Sequence, residues 1–156
     1  MLAVLSPVVA LAQEVATAGP TVSWSVPPAV DAKSGGRVTL ILHGSVKEGW
    51  HVYGLKQLQS GPTPLLVALE TNGYATAGGN PGGSPPTLAQ DSAFGFVTPY
   101  YTHDFTLTVP VRIRAHLKAG PQSIPVSVRF QTCNGQICQP PTTIKLLAPV
   151  NISAGV

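Results

Sequence analysis

The sequence predicts an all-β fold, an immunoglobulin-like antiparallel β-sandwich with one long Gly/Pro-rich and aromatic loop. Three observations support this prediction: period-2 alternation in several segments, abundant turn residues, and no segment with a sustained helical period. Gly and Pro number 16 each in 156 residues, above the average combined usage of roughly 12%. Hydrophobic residues make up 44% and charged residues 10%. This composition supports one domain with a sizeable core rather than a disordered chain.

Alternating apolar and polar residues define the predicted strands, because side chains point to opposite faces at successive strand positions. The clearest case is FTLTVPVRIR, in which five apolar residues from Phe105 to Ile113 share one face. Pro110 within it predicts an edge strand or a bulge. The alternating segments are 21–26, 37–43, 105–114, 124–131 and 142–146. Short half-buried strands of this kind favour a sandwich, although the Cys…Trp…Cys spacing of antibody domains is absent.

The tract from Asn72 to Asp104 does not follow the strand rhythm. It is rich in Gly and Pro until Pro86 and then carries four aromatic residues between Phe94 and Tyr101. Long loops inside compact domains are often functional lids, and a disordered linker rarely carries so many rings. We therefore expect the rings to pack against the domain. A further strand within the tract is the alternative.

The N-terminus predicts export. Residues 1–12 contain a short apolar stretch that ends in Ala10-Leu11-Ala12, the small-x-small pattern that a signal peptidase prefers. No Lys or Arg precedes Lys33, so the basic region of a signal peptide is missing, and a buried strand or short helix is the alternative. We predict a partial signal peptide at 1–12, a flexible segment at 13–21, the sandwich at 22–150 and a tail at 151–156. No part of the chain is predicted to span a membrane.

Composition and motifs exclude several classes of function. The net charge is +3 and the isoelectric point is about 9.1, but the nine basic residues are scattered, so no nucleic-acid partner is predicted. The four histidines show no ligand spacing, and the single Met argues against a copper carrier. No metal or cofactor is predicted, and no hydrolase elbow or phosphate loop occurs.

The two cysteines are separated by four residues in FQTCNGQICQPP, at a predicted turn between two strands. Asn134-Gly135 is expected to supply the positive φ angles of a tight turn, and Cys133 and Cys138 can approach to disulfide distance. Such a small ring gives a weak staple of roughly 2 kcal/mol. Extending the alternation places Cys133 on the solvent-facing side, and Pro140 leaves Cys138 on an irregular, accessible segment. An exchange-active pair and a structural bridge are equally supported at this point; a metal site is less so.

Four segments, in order and spacing, resemble a known family. They are GWHVYG (49–54), DSAFG (91–95), FTLTVPV (105–111) and VRFQTCNGQICQPPTTIKL (128–146). Together they are similar to the N-terminal periplasmic domain of the thiol:disulfide interchange protein DsbD, over about residues 22–150. The Cys-x4-Cys-x-Pro-Pro segment is the most specific part.

The resemblance implies a periplasmic protein thiol–disulfide oxidoreductase whose redox-active pair is Cys133 and Cys138. In that family the pair takes electrons from a membrane-embedded donor and passes them to thioredoxin-like periplasmic proteins. The alternative function is a secreted binding or assembly module with an inert disulfide.

The resemblance also implies a cap loop over the disulfide. It assigns Asp91 and Gly95 to the cap, Phe94 to the shielding ring, and Tyr53 to an aromatic position beside the pair. Ser92 and Ala93 depart from the acidic or aromatic residues that relatives often carry there.

Overall fold

The structure, a computed structural model, describes residues 15–17 and 19–155, with side chains described from residue 19 onward. This part of the chain consists of strands and connecting segments, and it contains no helix. The predicted signal peptide at 1–12 lies outside the described residues. The strands are β1 (Val15–Thr17), β2 (Val22–Val26), β3 (Val30–Lys33), β4 (Arg37–Val46), β5 (His51–Tyr53), β6 (Leu66–Leu69), β7 (Ala75–Ala77), β8 (Gly82–Gly83), β9 (Thr87–Gln90), β10 (Val97–Tyr101), β11 (Phe105–Ile113), β12 (Gly120–Phe130), β13 (Thr132–Cys133) and β14 (Thr142–Ser153).

The strands form three sheets. The first has the order β1-β2-β4-β11-β7, with β8 also pairing with β11, and the second has the order β3-β14-β12-β6. The third sheet is smaller and has the order β13-β5-β10-β9. Within the described chain all pairings are antiparallel except that of β14 with β3. The predicted antiparallel all-β architecture is confirmed.

The core lies between the first two sheets, whose alternating apolar residues form one buried cluster. Trp24 of β2 is 1% exposed and bridges the sheets, because its ring lies 5.5 Å from Phe105 and 5.2 Å from Phe130. The Phe105 ring fits because Gly44 has no side chain: a Cβ there would lie 2.4 Å from the ring. These aromatic contacts fix the spacing of the two sheets at the end where the third sheet begins.

Two elements of the sequence prediction need correction. Strand β11 is not an edge strand, since it pairs with β4 on one side and with β7 and β8 on the other. Pro110 lies in the gap between the pairing regions of these two short strands, so the missing N–H disturbs neither. The tract 72–104 is not one long loop, because it contains β7, β8, β9 and β10. The alternative of a strand within the tract is the correct one.

The two segments predicted to flank the sandwich, 13–21 and 151–156, also contain strand residues. Val15–Thr17, within the segment predicted as flexible, pairs with β2, and β14 continues to Ser153, inside the predicted tail.

Two chain crossings place the third sheet at the end of the sandwich. Strand β12 ends at Phe130, and after Gln131 the chain re-pairs as β13 with β5. Likewise β4 ends at Val46, and a turn through Gly49, at a φ of 83°, leads into β5. Both crossings bring residues of the sequence motifs onto one small sheet.

Candidate functional site

The two cysteines form a disulfide across a tight turn. Cys133 ends β13, and its Cα lies 4.0 Å from that of Cys138. Backbone hydrogen bonds close the turn on both sides of the bond: Asn134 N–H donates to Ile137 O at 2.9 Å, and Gln139 N–H donates to Thr132 O at 2.8 Å. The turn is therefore held by hydrogen bonds as well as by the disulfide.

The side chain of Asn134 shapes this turn. Its Oδ1 accepts hydrogen bonds from the N–H groups of Gln136 at 2.8 Å and Ile137 at 2.7 Å. Neither Asn134 nor Gly135 has a positive φ, so the expected turn conformation is wrong. An asparagine side chain that binds the backbone two and three residues ahead performs the same role.

The two cysteines differ sharply in exposure. Cys133 is 0% exposed, whereas Cys138 is exposed, as its place before Pro140 predicts. The expectation that Cys133 faces solvent is wrong. Cys133 does lie on the face that the alternation predicts, outside the apolar cluster between the main sheets. That face is buried because a second layer of residues covers it.

His51 is the residue directly opposite Cys133 in the pairing of β5 with β13. Directly opposed side chains in an antiparallel pair share a face, so His51 and Cys133 project to the same side. Tyr53, two residues on, shares this face and is fully buried. Tyr100 of β10 is directly opposite Tyr53, and its ring lies 4.5 Å from that of His51.

The loop from Asp91 to Gly95, here called the cap loop, connects β9 to β10 and is folded around one carboxylate. Asp91 Oδ1 accepts from the N–H groups of Ala93 at 2.8 Å and Phe94 at 3.3 Å. Asp91 Oδ2 accepts from Tyr53 Oη–H at 2.7 Å and from Thr98 Oγ1–H at 3.2 Å. The left-handed conformation of Gly95, at a φ of 77°, completes the turn.

The cap loop packs on Tyr53, which lies on the same face of β5 as His51. The Phe94 ring meets the buried Tyr53 ring edge-on, with centroids 5.8 Å apart, and it also contacts Phe96 at 6.2 Å. His51 Nε2 lies 3.4 Å from Asp91 Oδ2 and 3.1 Å from Tyr53 Oη. The structure thus brings Asp91, Phe94 and Tyr53 into one contact group, which His51, opposite Cys133 in the strand pairing, also joins.

Hydrogen bonds keep the Asp91 carboxylate ionised although it is only 3% exposed. Burial by itself raises the pKa of Asp91, but the hydrogen bonds from Tyr53 and Ala93, the nearby His51 and Thr98 together hold it below its usual value. Burial and the Asp91 charge raise the pKa of the Tyr53 hydroxyl, which stays protonated and donates. The Asp91 carboxylate is thus a charged hydrogen-bond acceptor surrounded by donors that the fold holds in place.

Sequence analysis did not single out His51, because the histidines were considered there only as metal ligands and show no ligand spacing. The signal was the alternation in WHVY, which places His51 and Tyr53 on one face of a strand. Within the described residues no cluster of three His, Cys, Asp or Glu side chains could hold a metal ion. In the same part of the chain no helix is long and apolar enough to cross a bilayer. The chemistry this arrangement supports is attack on the accessible sulfur of Cys138, with Cys133 as the leaving group.

Two solved structures resemble this one. One is the N-terminal periplasmic domain of ScsB from Proteus mirabilis, with 16% identity and a TM-score of 0.59 over 85% of this chain. This chain spans about half of that structure, covering 49% of it. The other is the N-terminal domain of DsbD from Neisseria meningitidis in its reduced form, with 18% identity and a TM-score of 0.49, over 72% of this chain and 77% of that one. At such identities the ScsB likeness supports the fold alone. No curated protein matches the sequence.

The sequence itself matches the family described as thiol:disulfide interchange protein DsbD, N-terminal, over residues 23–149. This span covers β2 to most of β14 and includes the cap loop and both cysteines. The all-β sandwich is the immunoglobulin-like fold of that family. The chain therefore belongs to the family of DsbD N-terminal domains.

Proposed function

We propose that this chain is a periplasmic thiol–disulfide relay that works through Cys133 and Cys138. It takes electrons from a membrane-embedded donor of the DsbD transmembrane type and passes them to thioredoxin-like partner proteins. Membership of the family supports thiol–disulfide interchange in general. The compartment, the donor and the acceptor are part of the proposal.

The observation that carries the proposal is the difference in exposure within one disulfide. An exposed Cys138 gives an incoming thiolate a sulfur to attack, while a fully buried Cys133 cannot meet a partner directly. Exchange requires access to the attacked sulfur and a second sulfur that resolves the mixed disulfide. An exposed and a buried sulfur in one bond fit these two tasks.

The exchange follows from this assignment. In the reduced chain the Cys138 thiolate attacks a disulfide of the acceptor, which forms a mixed disulfide and releases one acceptor sulfur as a thiolate. Cys133 then loses its proton and attacks Cys138 Sγ, which forms the Cys133–Cys138 bond and releases the second acceptor sulfur. Two electrons pass to the acceptor. The donor then reduces the Cys133–Cys138 disulfide by the same exchange steps in reverse order.

The cap loop fits a gating role in this relay. Its anchor, Asp91, and its ring, Phe94, contact the face that carries Cys133 through Tyr53. The loop has few contacts beyond this group, since Ser92, Ala93 and Gly95 are exposed. A docking partner can displace such a loop without disturbing the sandwich core.

Trapping of mixed disulfides tests the proposal. A Cys133→Ala variant keeps the exposed sulfur and lacks the resolving one, so it accumulates mixed disulfides with thioredoxin-like proteins in periplasmic extract. The matched control is Cys138→Ala, which keeps only the buried sulfur and captures none. Absence of any thioredoxin-like partner on Cys133→Ala, or equal capture by both variants, contradicts the proposal.

A further inference from the structure

The resolving sulfur of the proposed relay must become a thiolate in a buried place. Cys133 is fully buried, and a buried charge is costly unless a neighbouring group compensates it. Water cannot serve as the proton acceptor for a sulfur that solvent does not reach. A side chain beside Cys133 must therefore take the proton when this sulfur attacks and return it when this sulfur leaves.

His51 is placed to do so. It is directly opposite Cys133 in the pairing of β5 with β13, where opposed Cβ atoms lie about 4.5–5.5 Å apart. Its ring lies edge-on to Tyr53 at 5.0 Å and tilted against Tyr100 at 4.5 Å. These contacts with β5 and β10 hold the ring on the face of the sheet to which Cys133 also projects.

The hydrogen bonds assign the proton on the ring. Tyr53 Oη–H donates to Asp91, so the Tyr53 oxygen accepts from His51 Nε2 at 3.1 Å. The ionised Asp91 carboxylate, 3.4 Å from Nε2, favours the same proton position. Nδ1 is then the nitrogen with a free lone pair, which makes the neutral ring a base.

The surroundings of His51 keep it available as a base near neutral pH. Burial lowers the pKa of His51, and the Asp91 charge opposes this effect. Tyr53 and Asp91 face it from the interior, while Glu48, Tyr100 and His103 line, together with His51, an open cleft of about 550 Å³. This cleft connects the ring to solvent.

We propose that His51 accepts the proton of Cys133 as that sulfur attacks the mixed disulfide, and returns it in the reverse reaction. This inference rests on the proposed relay. Forward, the Cys133 S–H bond breaks and the proton passes to Nδ1. The Cys133 sulfur then bonds to Cys138 Sγ, and the partner sulfur leaves with the electron pair. The proton on the imidazolium goes to solvent through the cleft. In reverse, Cys133 leaves as a thiolate and takes the proton from the imidazolium.

The two steps can be timed separately with the reduced protein and an aromatic disulfide such as 5,5′-dithiobis(2-nitrobenzoate). The first coloured thiolate is released when Cys138 attacks, and the second when Cys133 resolves the mixed disulfide. Two variants remove the base: His51→Phe keeps the ring packing, and His51→Gln keeps a donor to Tyr53 and Asp91. The control is His43→Gln, which changes a half-buried histidine bonded to Thr106.

Both His51 variants are expected to slow the second release about tenfold or more at pH 7, within the range of general base catalysis. They leave the first release within about twofold, and the control changes neither release. In the wild type the second rate falls as the pH drops and His51 becomes protonated. In the variants the pH dependence of the second rate should instead follow ionisation of the thiol, so this rate rises with pH up to the ordinary thiol pKa of about 8.5.

Two outcomes overturn the inference. An unchanged rate of the second release in either folded variant shows that His51 does not accept the proton of Cys133, while the relay itself stands. Equal slowing of both releases with an unchanged pH profile assigns His51 to folding alone. If the wild type shows no first release, the proposed relay fails instead, so the two failures are distinguishable.

Discussion

Reduction of the Cys133–Cys138 bond is expected to cost the fold little stability. The bond closes a ring of six residues, for which the chain-entropy relation gives about 2 kcal/mol at 25 °C. Backbone hydrogen bonds from Asn134 to Ile137 and from Gln139 to Thr132 close the same turn. We expect these bonds and the Asn134 side-chain bonds to survive reduction, because none of them involves a sulfur atom. The free energy of unfolding should therefore fall by about 2 kcal/mol or less.

Urea denaturation of the oxidised and the reduced chain, the latter in excess phosphine reductant, measures this difference directly. The comparison is clean because the chain has only two cysteines. By the thermodynamic cycle, a loss of about 2 kcal/mol means that folding lowers the reduction potential by about 45 mV. A Cys133→Ala, Cys138→Ala double variant serves as the control, since the reductant must leave its midpoint unchanged. A loss of about 4 kcal/mol or more, as for structural disulfides of small secreted domains, refutes the reasoning.

Three further predictions concern the cap loop and the core. Tyr53→Phe removes a hydrogen-bond donor to the charged Asp91, worth about 1.5–3 kcal/mol, so amide hydrogen exchange in the cap loop should accelerate about tenfold or more. The control Tyr101→Phe loses a hydroxyl hydrogen bond to a backbone carbonyl at 2.7 Å and should not accelerate this exchange. Equal acceleration in both variants would contradict the anchoring role of Tyr53. Because the pKa of Asp91 is lowered in the folded chain, the ionised carboxylate stabilises the fold fully above the ordinary pKa of about 3.9, and this stabilisation is lost as the pH falls through the lowered pKa. In urea denaturation, the free energy of unfolding should therefore fall less between pH 7 and pH 3 for Asp91→Asn than for the wild type. Equal falls in both proteins would refute this. Gly44→Ala would place a Cβ 2.4 Å from a facing phenylalanine ring and should cost about 1–3 kcal/mol of unfolding free energy, whereas Gly73→Ala, with nothing within 4 Å, should be nearly neutral; similar costs for both variants would contradict the close packing.

The main strands were predictable because alternation is a local signal. The β11 segment shows five apolar residues on one face, and β14 begins at Thr142, directly after the proline pair. The pairing around β11 was not predictable, because β7 and β8 are too short to produce a period. They lie in a Gly/Pro-rich tract whose composition matches that of a loop, and only tertiary pairing makes them strands.

The candidate site was predictable where one segment carries the chemistry and not where several meet. The cysteine pair and the accessible place of Cys138 follow from one turn and the prolines after it. The burial of Cys133 does not, because it depends on residues outside the turn that come together only in the folded chain. The position of His51 opposite Cys133 also depends on tertiary pairing between strands distant in sequence.

The central claim is that the Cys133–Cys138 disulfide exchanges electrons with other proteins under periplasmic conditions. Its reduction potential tests this claim most directly, by equilibrating the chain with thiol–disulfide buffers of known potential and measuring the oxidised fraction. The proposed relay predicts a value above about −300 mV, where exchange with thioredoxin-like proteins is reversible. A value below about −300 mV would place the bond among inert structural disulfides and contradict the relay.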